Sequence, residues 1–78
     1  MTRQRRMSEH TIVSRLEVAI AYGDDVTIVL EDEPSIAGRP EQLRQAERLT
    51  VVLALGGTMA GLREVIDLAR VRRVEVQP

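Results

Sequence analysis

The sequence predicts a mainly β fold with one N-terminal helix, in which five short strands curl into a small barrel. Three observations favour this α+β class. The 78 residues are enough for one domain and too few for two. The linkers are short, and a parallel sheet would need helices on both faces, which a chain of this length can barely supply. Gly38 lies where a barrel strand has to bend.

The chain is expected to divide into a tail and a single folded unit. Residues 1–7 are polar and basic, so we expect a disordered tail there. Residues 8–78 form one predicted domain, with a helix over residues 8–22 and the barrel over residues 25–77.

The helix is predicted by local signals at both of its ends. Ser8 is a plausible N-cap, because its side chain can accept a hydrogen bond from the first helical turn. Ile12, Leu16 and Ala19 then recur at helical spacing. Gly23 supplies the left-handed residue on which many helices end.

Two segments have the pattern of β-strands. Residues 26–30 are mostly β-branched and alternate, and residues 49–55 alternate in the same way after a charged stretch. Residues 56–58, Gly-Gly-Thr, are expected to turn the chain. Val74-Glu75-Val76 is a short closing strand.

Residues 40–48 and 59–70 fit either a helix or a strand. Residues 40–48 contain strong helix formers, and residues 59–70 carry an apolar stripe at helical spacing. If both are helices, the alternative is a small α/β fold with strands at 26–30, 49–55 and 74–76.

The amino-acid composition argues against most classes of enzyme. There is no cysteine, so the chain has no thiol nucleophile and no thiolate metal site. His10 is the only histidine, and it has no acid and nucleophile assignable around it. No phosphate-binding glycine motif is present. We therefore expect a protein that is not an enzyme and that uses no cofactor and no metal.

The charge balance argues against a general nucleic-acid binder. Eleven Arg face twelve acidic residues, for a net charge of −1, so a broad positive field is absent. Tyr22 is the only aromatic residue, which leaves almost nothing for bases to stack on. A protein partner is therefore favoured, with nucleic acid as the second choice.

Two groups of charged residues are the candidate contact sites. The first group is acidic and would form one partner-binding face: Glu17, Glu31, Asp32 and Glu33. The second group is basic, and its guanidinium groups would contact nucleic-acid phosphates: Arg3, Arg5, Arg6, Arg70, Arg72 and Arg73.

Several stretches resemble small bacterial barrels. Residues 16–19, 26–32 and 36–38 resemble the opening of the Rof family, small inhibitors of the termination factor Rho. Residues 65–76 are similar to the close of Sm-like and SH3-like barrels. The Tyr-Lys-His run of Sm-like RNA chaperones of the Hfq type is absent, so this resemblance implies the barrel and not their RNA site. The resemblance to Rof implies binding to a larger protein through an acidic face.

The function predicted from the sequence is that of a non-enzymatic interaction module. Its partner would be a protein of the transcription or RNA machinery, bound through the acidic face. One alternative is an Sm-like oligomeric nucleic-acid-binding protein, and another is a structural or assembly subunit of a phage or plasmid. A homo-oligomer fits all three. The chain has no apolar run that could span a bilayer and no signal peptide, so a cytoplasmic location without membrane contact is expected.

Overall fold

A computed structural model describes residues 6–77, which form one helix and a five-stranded antiparallel sheet. The elements, in chain order, are α1 (Glu9–Tyr22), β1 (Val26–Leu30), β2 (Ile36–Gln45), β3 (Leu49–Leu55), β4 (Arg63–Asp67) and β5 (Val71–Val76). Two short 3₁₀ turns, Gly57–Met59 and Leu68–Arg70, precede β4 and β5.

Helix α1 begins and ends at the predicted residues. The Ser8 hydroxyl accepts a hydrogen bond from the Thr11 backbone N–H at 3.1 Å, which satisfies one of the free donors of the first turn. Gly23 ends the helix in the left-handed region, with φ 70°, and its N–H donates to the carbonyl of Ala19. Both boundaries are therefore set by local chemistry.

The sheet has the strand order β4-β3-β2-β1-β5, with every neighbouring pair antiparallel. Asp67 ends β4 at one edge, and Val71 begins β5 at the other edge. Four residue steps span at most about 14 Å, so the sheet has to curl strongly for this connection to close. A register shift between Pro40 and Gln42 interrupts the long strand β2, where an extra residue increases twist and bend.

The core lies between α1 and the concave face of the sheet. Strands β2 and β5 carry most of the contact with α1. The fully or almost fully buried apolar residues are Ile12, Leu16, Ala19, Val26, Ile28, Leu30, Val51, Leu53, Ile66, Leu68, Val71 and Val74. Every strand except β2 contributes to this list, and β2 adds the buried Pro40 and the partly buried Ile36 and Leu43. Among the described residues, no polar or charged residue is buried in this core.

Gly38 is required by close packing between β2 and β3. A Cβ atom at this position would lie 2.5 Å from the carbonyl oxygen of Ala54 and 3.0 Å from Cγ of Leu53. The strand does bend, but the register shift falls two residues further on, after Pro40. The structural need for glycine here is therefore space for the backbone of β3.

The predicted mainly β class with one N-terminal helix is confirmed, and the α/β alternative is wrong. Residues 36–45 form one strand, and residues 63–67 form another. In both segments strand pairing prevails over local helix propensity: in the extended chain Leu43 packs against the core and Ile66 is buried in it.

The curled sheet stays open, which corrects the predicted closure into a barrel. No hydrogen bonds join β4 to β5. The outer edge of β5 is already occupied where it begins, because the Met7 N–H donates to the carbonyl of Arg72 at 2.7 Å. The Arg6 and Arg15 side chains donate to the carbonyls of Val71 and Val74 on the same strand.

These contacts also bear on the predicted disordered tail. Residues 1–5 lie outside the described part of the chain, whereas Arg6 and Met7 are hydrogen-bonded to β5.

Within residues 6–77, no helix has both the length and the apolar character that crossing a bilayer requires.

Candidate functional site

The predicted acidic residues 31–33 form an exposed turn between β1 and β2. Asp32 adopts the left-handed conformation, with φ 58°, which a short acidic side chain tolerates. The Glu31 N–H donates to the carbonyl of Arg70 at 3.0 Å, and the carboxylate of Glu33 pairs with the Arg70 guanidinium. Two contacts to the same residue thus hold the turn in place.

Two arginines lie at the same end of the sheet as this turn. The Nε of Arg6 donates to the carbonyl of Val71, and its Nη2 donates to the carbonyl of Leu68, both at 2.8 Å. Arg6 and Arg70 therefore lie at the same end of the sheet as the acidic turn. We call this region the charged end and define it as Arg6, Glu31, Asp32, Glu33 and Arg70.

The acidic residues predicted as one face do not all meet. Glu17 is exposed on α1, and no hydrogen bond or ion pair within residues 6–77 connects it to the turn. The Glu33 side chain is half exposed, and its carboxylate forms an ion pair with Arg70. Glu31 and Asp32 are exposed and make no side-chain hydrogen bond or ion pair in the described chain. The unpaired acidic surface at the charged end therefore consists of Glu31 and Asp32.

The predicted arginines are also distributed over several surroundings. Arg3 and Arg5 lie outside the described residues. Arg73 on β5 pairs with Glu75 at 3.0 Å. Arg72 is partly buried next to the register shift of β5. Of the members of this set that the structure describes, only Arg6 and Arg70 belong to the charged end.

Two ion pairs on the outer face of the sheet were not predicted from the sequence. Arg63 on β4 donates to both carboxylate oxygens of Glu41, at 2.6 and 3.3 Å, across the intervening strand β3. This hydrogen bond lowers the pKa of Glu41 and raises that of Arg63. Residues 41 and 63 are far apart in the chain, so only the strand order β4-β3-β2 brings them together.

The second missed pair involves Asp67 at the end of β4. Its carboxylate accepts hydrogen bonds from the Ala69 N–H at 2.9 Å and from Arg48 at 3.0 Å. The bond from Ala69 is the main reason why the pKa of Asp67 is lowered, and Arg48 adds to the effect. Asp67 thus starts the 3₁₀ turn that leads into β5.

Strand β4 is an exposed edge. The Val65 side chain is 54% exposed and Leu62 just before the strand is 53% exposed. Met59 in the preceding turn is also half exposed. This apolar edge was not predicted from the sequence, because residues 59–70 fitted a helix equally well.

A groove of about 620 Å³ opens at the other end of the sheet. Its lining includes Asp25, Arg39, Gly56, Gly57 and Gln77. Gly56 precedes and Gly57 begins a three-residue 3₁₀ turn, which is too short to offer an anion the N-terminus of a helix.

The histidine and acidic residues that could bind a metal ion do not cluster within residues 6–77. His10 is exposed in the first turn of α1. Within residues 6–77, no three histidine or acidic side chains are placed to hold a metal ion together.

Comparisons of this chain with protein-family models, curated proteins and solved structures find no match, so the resemblance to Rof and to Sm-like or SH3-like barrels rests on the sequence patterns alone.

Proposed function

We propose that this protein is a non-enzymatic interaction module that binds a basic surface of a partner protein through the acidic turn at the charged end. The observation that carries this proposal is a pair of exposed, unpaired carboxylates, Glu31 and Asp32, on a turn whose backbone is already held. The Glu31 N–H and the Glu33 carboxylate both contact Arg70. A preordered turn loses little conformational entropy when it binds.

Glu17 is not part of the proposed contact. It lies on α1, and no hydrogen bond or ion pair within residues 6–77 joins it to the turn. The partner would therefore meet a small patch rather than a broad acidic face, and charge attraction would mainly speed the encounter. That the partner belongs to the transcription or RNA machinery remains a prediction from the resemblance.

The test is affinity capture from an extract of the source organism, with the double variant Glu31→Gln, Asp32→Asn beside the wild type. Asparagine suits the left-handed position 32, and Glu33 stays in place to pair with Arg70. The matched control is Glu47→Gln, which removes an exposed carboxylate from the β2–β3 turn. We expect a partner that is retained by wild type and control and lost from the double variant.

The identified partner then allows affinity to be measured by calorimetry. An exposed ion pair contributes at most about 1 kcal/mol, so losing two weakens binding by up to about thirtyfold, with less effect at high salt. Equal affinity of the double variant and the control would contradict the proposal. Salt-sensitive RNA or DNA binding that depends on Arg70 would instead favour the oligomeric nucleic-acid-binding alternative.

A further inference from the structure

The backbone of β4 has one side that no strand occupies. The Leu55 N–H donates to the carbonyl of Leu62 at 3.0 Å, which fixes residues 55 and 62 as a hydrogen-bonded pair. Hydrogen-bonded and non-hydrogen-bonded pairs alternate along an antiparallel ladder. In the register of β3 and β4, the N–H and C=O groups of Arg63, Val65 and Asp67 consequently point away from β3.

Nothing in the described chain covers this edge. No side chain or backbone group within residues 6–77 bonds to the outward backbone groups of Arg63, Val65 or Asp67. The side chains of these three residues lie on the outer face of the sheet, because the alternate residue Ile66 is buried in the core. A bare edge next to an exposed valine is a template for another strand.

We propose that this edge pairs with β4 of a second copy of the chain, antiparallel, around a two-fold axis that passes beside Val65. Val65 then lies opposite Val65 of the second copy, and the sheet continues across the axis as ten strands. Because the same surface is used twice, the assembly closes as a dimer.

Charge complementarity supports this register. With Val65 on the axis, Arg63 lies directly opposite Asp67 of the second copy, and the same pair recurs on the other side. Opposite charges in directly opposed positions stabilise paired strands. Within each chain Arg63 already contacts Glu41, and Asp67 already contacts Arg48. The two copies would therefore join these pairs into rows of alternating charge across the interface.

The neighbouring two-fold registers are less favourable. An axis at Glu64 would place two glutamates directly opposite each other, which destabilises the pairing. An axis at Ile66 would place Val65 opposite Asp67 and remove the Arg63–Asp67 pairs. On the outer face, the register centred on Val65 matches apolar with apolar and positive with negative, and on the core face it places Glu64 opposite Ile66 of the second copy.

Pairing of β4 with β5 of another copy fits less well. The Gln77 N–H donates to the carbonyl of Asp25 at 2.8 Å, so by alternation Val74 and Val76 point their backbone groups away from β1. Val74 is buried on the core face, whereas the outward residues of β4 lie on the outer face. If β4 paired edge to edge with β5 of another copy, the outer face of one sheet would therefore continue into the core face of the other.

Proline at position 65 tests the proposal without removing a hydrogen bond between β3 and β4. The Val65 N–H points away from β3, so Val65→Pro removes only an outward donor, and proline is tolerated at such positions. Sedimentation equilibrium up to about 1 mM should show wild type approaching twice the chain mass of 8.7 kDa. Val65→Pro should remain at the chain mass, with an unchanged circular dichroism spectrum. A wild-type chain that is monomeric throughout, or that forms a larger ring, overturns the proposal.

A cross-link provides a second test that does not depend on proline. The chain has no cysteine, so a single introduced thiol reports one contact. Residues in a hydrogen-bonded antiparallel pair have Cα atoms about 5.5 Å apart, which suits a disulfide. Under mild oxidation Val65→Cys should form a covalent dimer at least about tenfold faster than Val76→Cys, the matched thiol on the β5 edge. Equal rates, or a faster reaction at position 76, would refute the two-fold at Val65.

Discussion

Replacing Gly38 with alanine tests whether the close approach of β2 and β3 sets the shape of the sheet. The added Cβ would lie 2.5 Å from the carbonyl oxygen of Ala54, where ordinary contact begins near 3.4 Å. It would also lie 3.0 and 3.2 Å from two side-chain atoms of Leu53. Leu53 is fully buried, so its side chain cannot turn into solvent.

The carbonyl of Ala54 cannot move freely, because Ala54 is paired with Arg39 in the β2–β3 ladder. Overpacking of this kind costs about 1–3 kcal/mol. The lower entropy of the unfolded alanine chain offsets part of this, by about 0.4–1 kcal/mol. We expect a net loss of about 1.3 kcal/mol, a sizeable share of the roughly 4–12 kcal/mol available to a chain of this length.

Urea denaturation followed by circular dichroism measures the loss. With a slope of about 1–2 kcal/mol/M, the midpoint should fall by about 0.7–1.3 M. Gly56→Ala is the matched control, because Gly56 has an ordinary extended φ of −114° and open space around its Cβ position. The comparison needs one fixed protein concentration, since dimerisation would add to apparent stability. If Gly38→Ala is as stable as Gly56→Ala, the close-packing argument is wrong.

Three further predictions concern α1 and the outer face of the sheet. Ser8→Ala removes the N-cap and should lower stability by about 1 kcal/mol, whereas Ser14→Ala, exposed in mid-helix, should raise it slightly; equal thermal midpoints would contradict this. Gly23→Ala forces alanine to φ 70° and should cost about 1–2 kcal/mol by urea unfolding, so an unchanged midpoint would argue against the left-handed cap. The hydrogen bond from Arg63 lowers the pKa of Glu41 below its unfolded value, so the charged group stabilises the fold above that value. The stability lost in Glu41→Gln should therefore be greatest at neutral pH and should shrink as the pH falls below about 4; a difference independent of pH would refute the coupling.

The parts of the fold that the sequence predicted well are those fixed by neighbouring residues. Ser8 and Gly23 determine the ends of α1 through hydrogen bonds within one turn of the chain. Strands β1 and β3 carry their own alternation, so their bounds also agreed with the pattern. Their local sequence contains what is needed to recognise them.

The two segments that fitted both helix and strand were decided by distant parts of the chain. Residues 40–45 have good helix formers, yet Leu43 pairs with Val51 in the sheet and packs against the core. Ile66 likewise pairs with Val51 from the other side. A local pattern cannot report this, because the benefit depends on strands that lie elsewhere in the sequence.

The candidate surfaces also differ in whether neighbouring residues or distant parts of the chain determine them. The acidic turn was predicted from a run of three adjacent acids, but its attachment to Arg70 depends on β5 lying beside β1. The exposed edge of β4 could not be predicted, because a strand is an edge only with respect to the order of the whole sheet. The pairs made by Arg63 and Asp67 depend on that same order.

The acidic turn and the bare edge of β4 are separate surfaces, and their proposed roles can be tested against each other. A dimer through β4 would present two copies of the charged end, one on each side of the axis. A partner with two basic sites at a matching distance would then bind more tightly by avidity than either turn alone allows. Val65→Pro leaves Glu31 and Asp32 untouched, so it should weaken capture of such a bivalent partner and leave a monovalent partner unaffected. Replacing the two carboxylates should weaken capture in both cases, because the contact itself is then lost while the β4 edge remains intact.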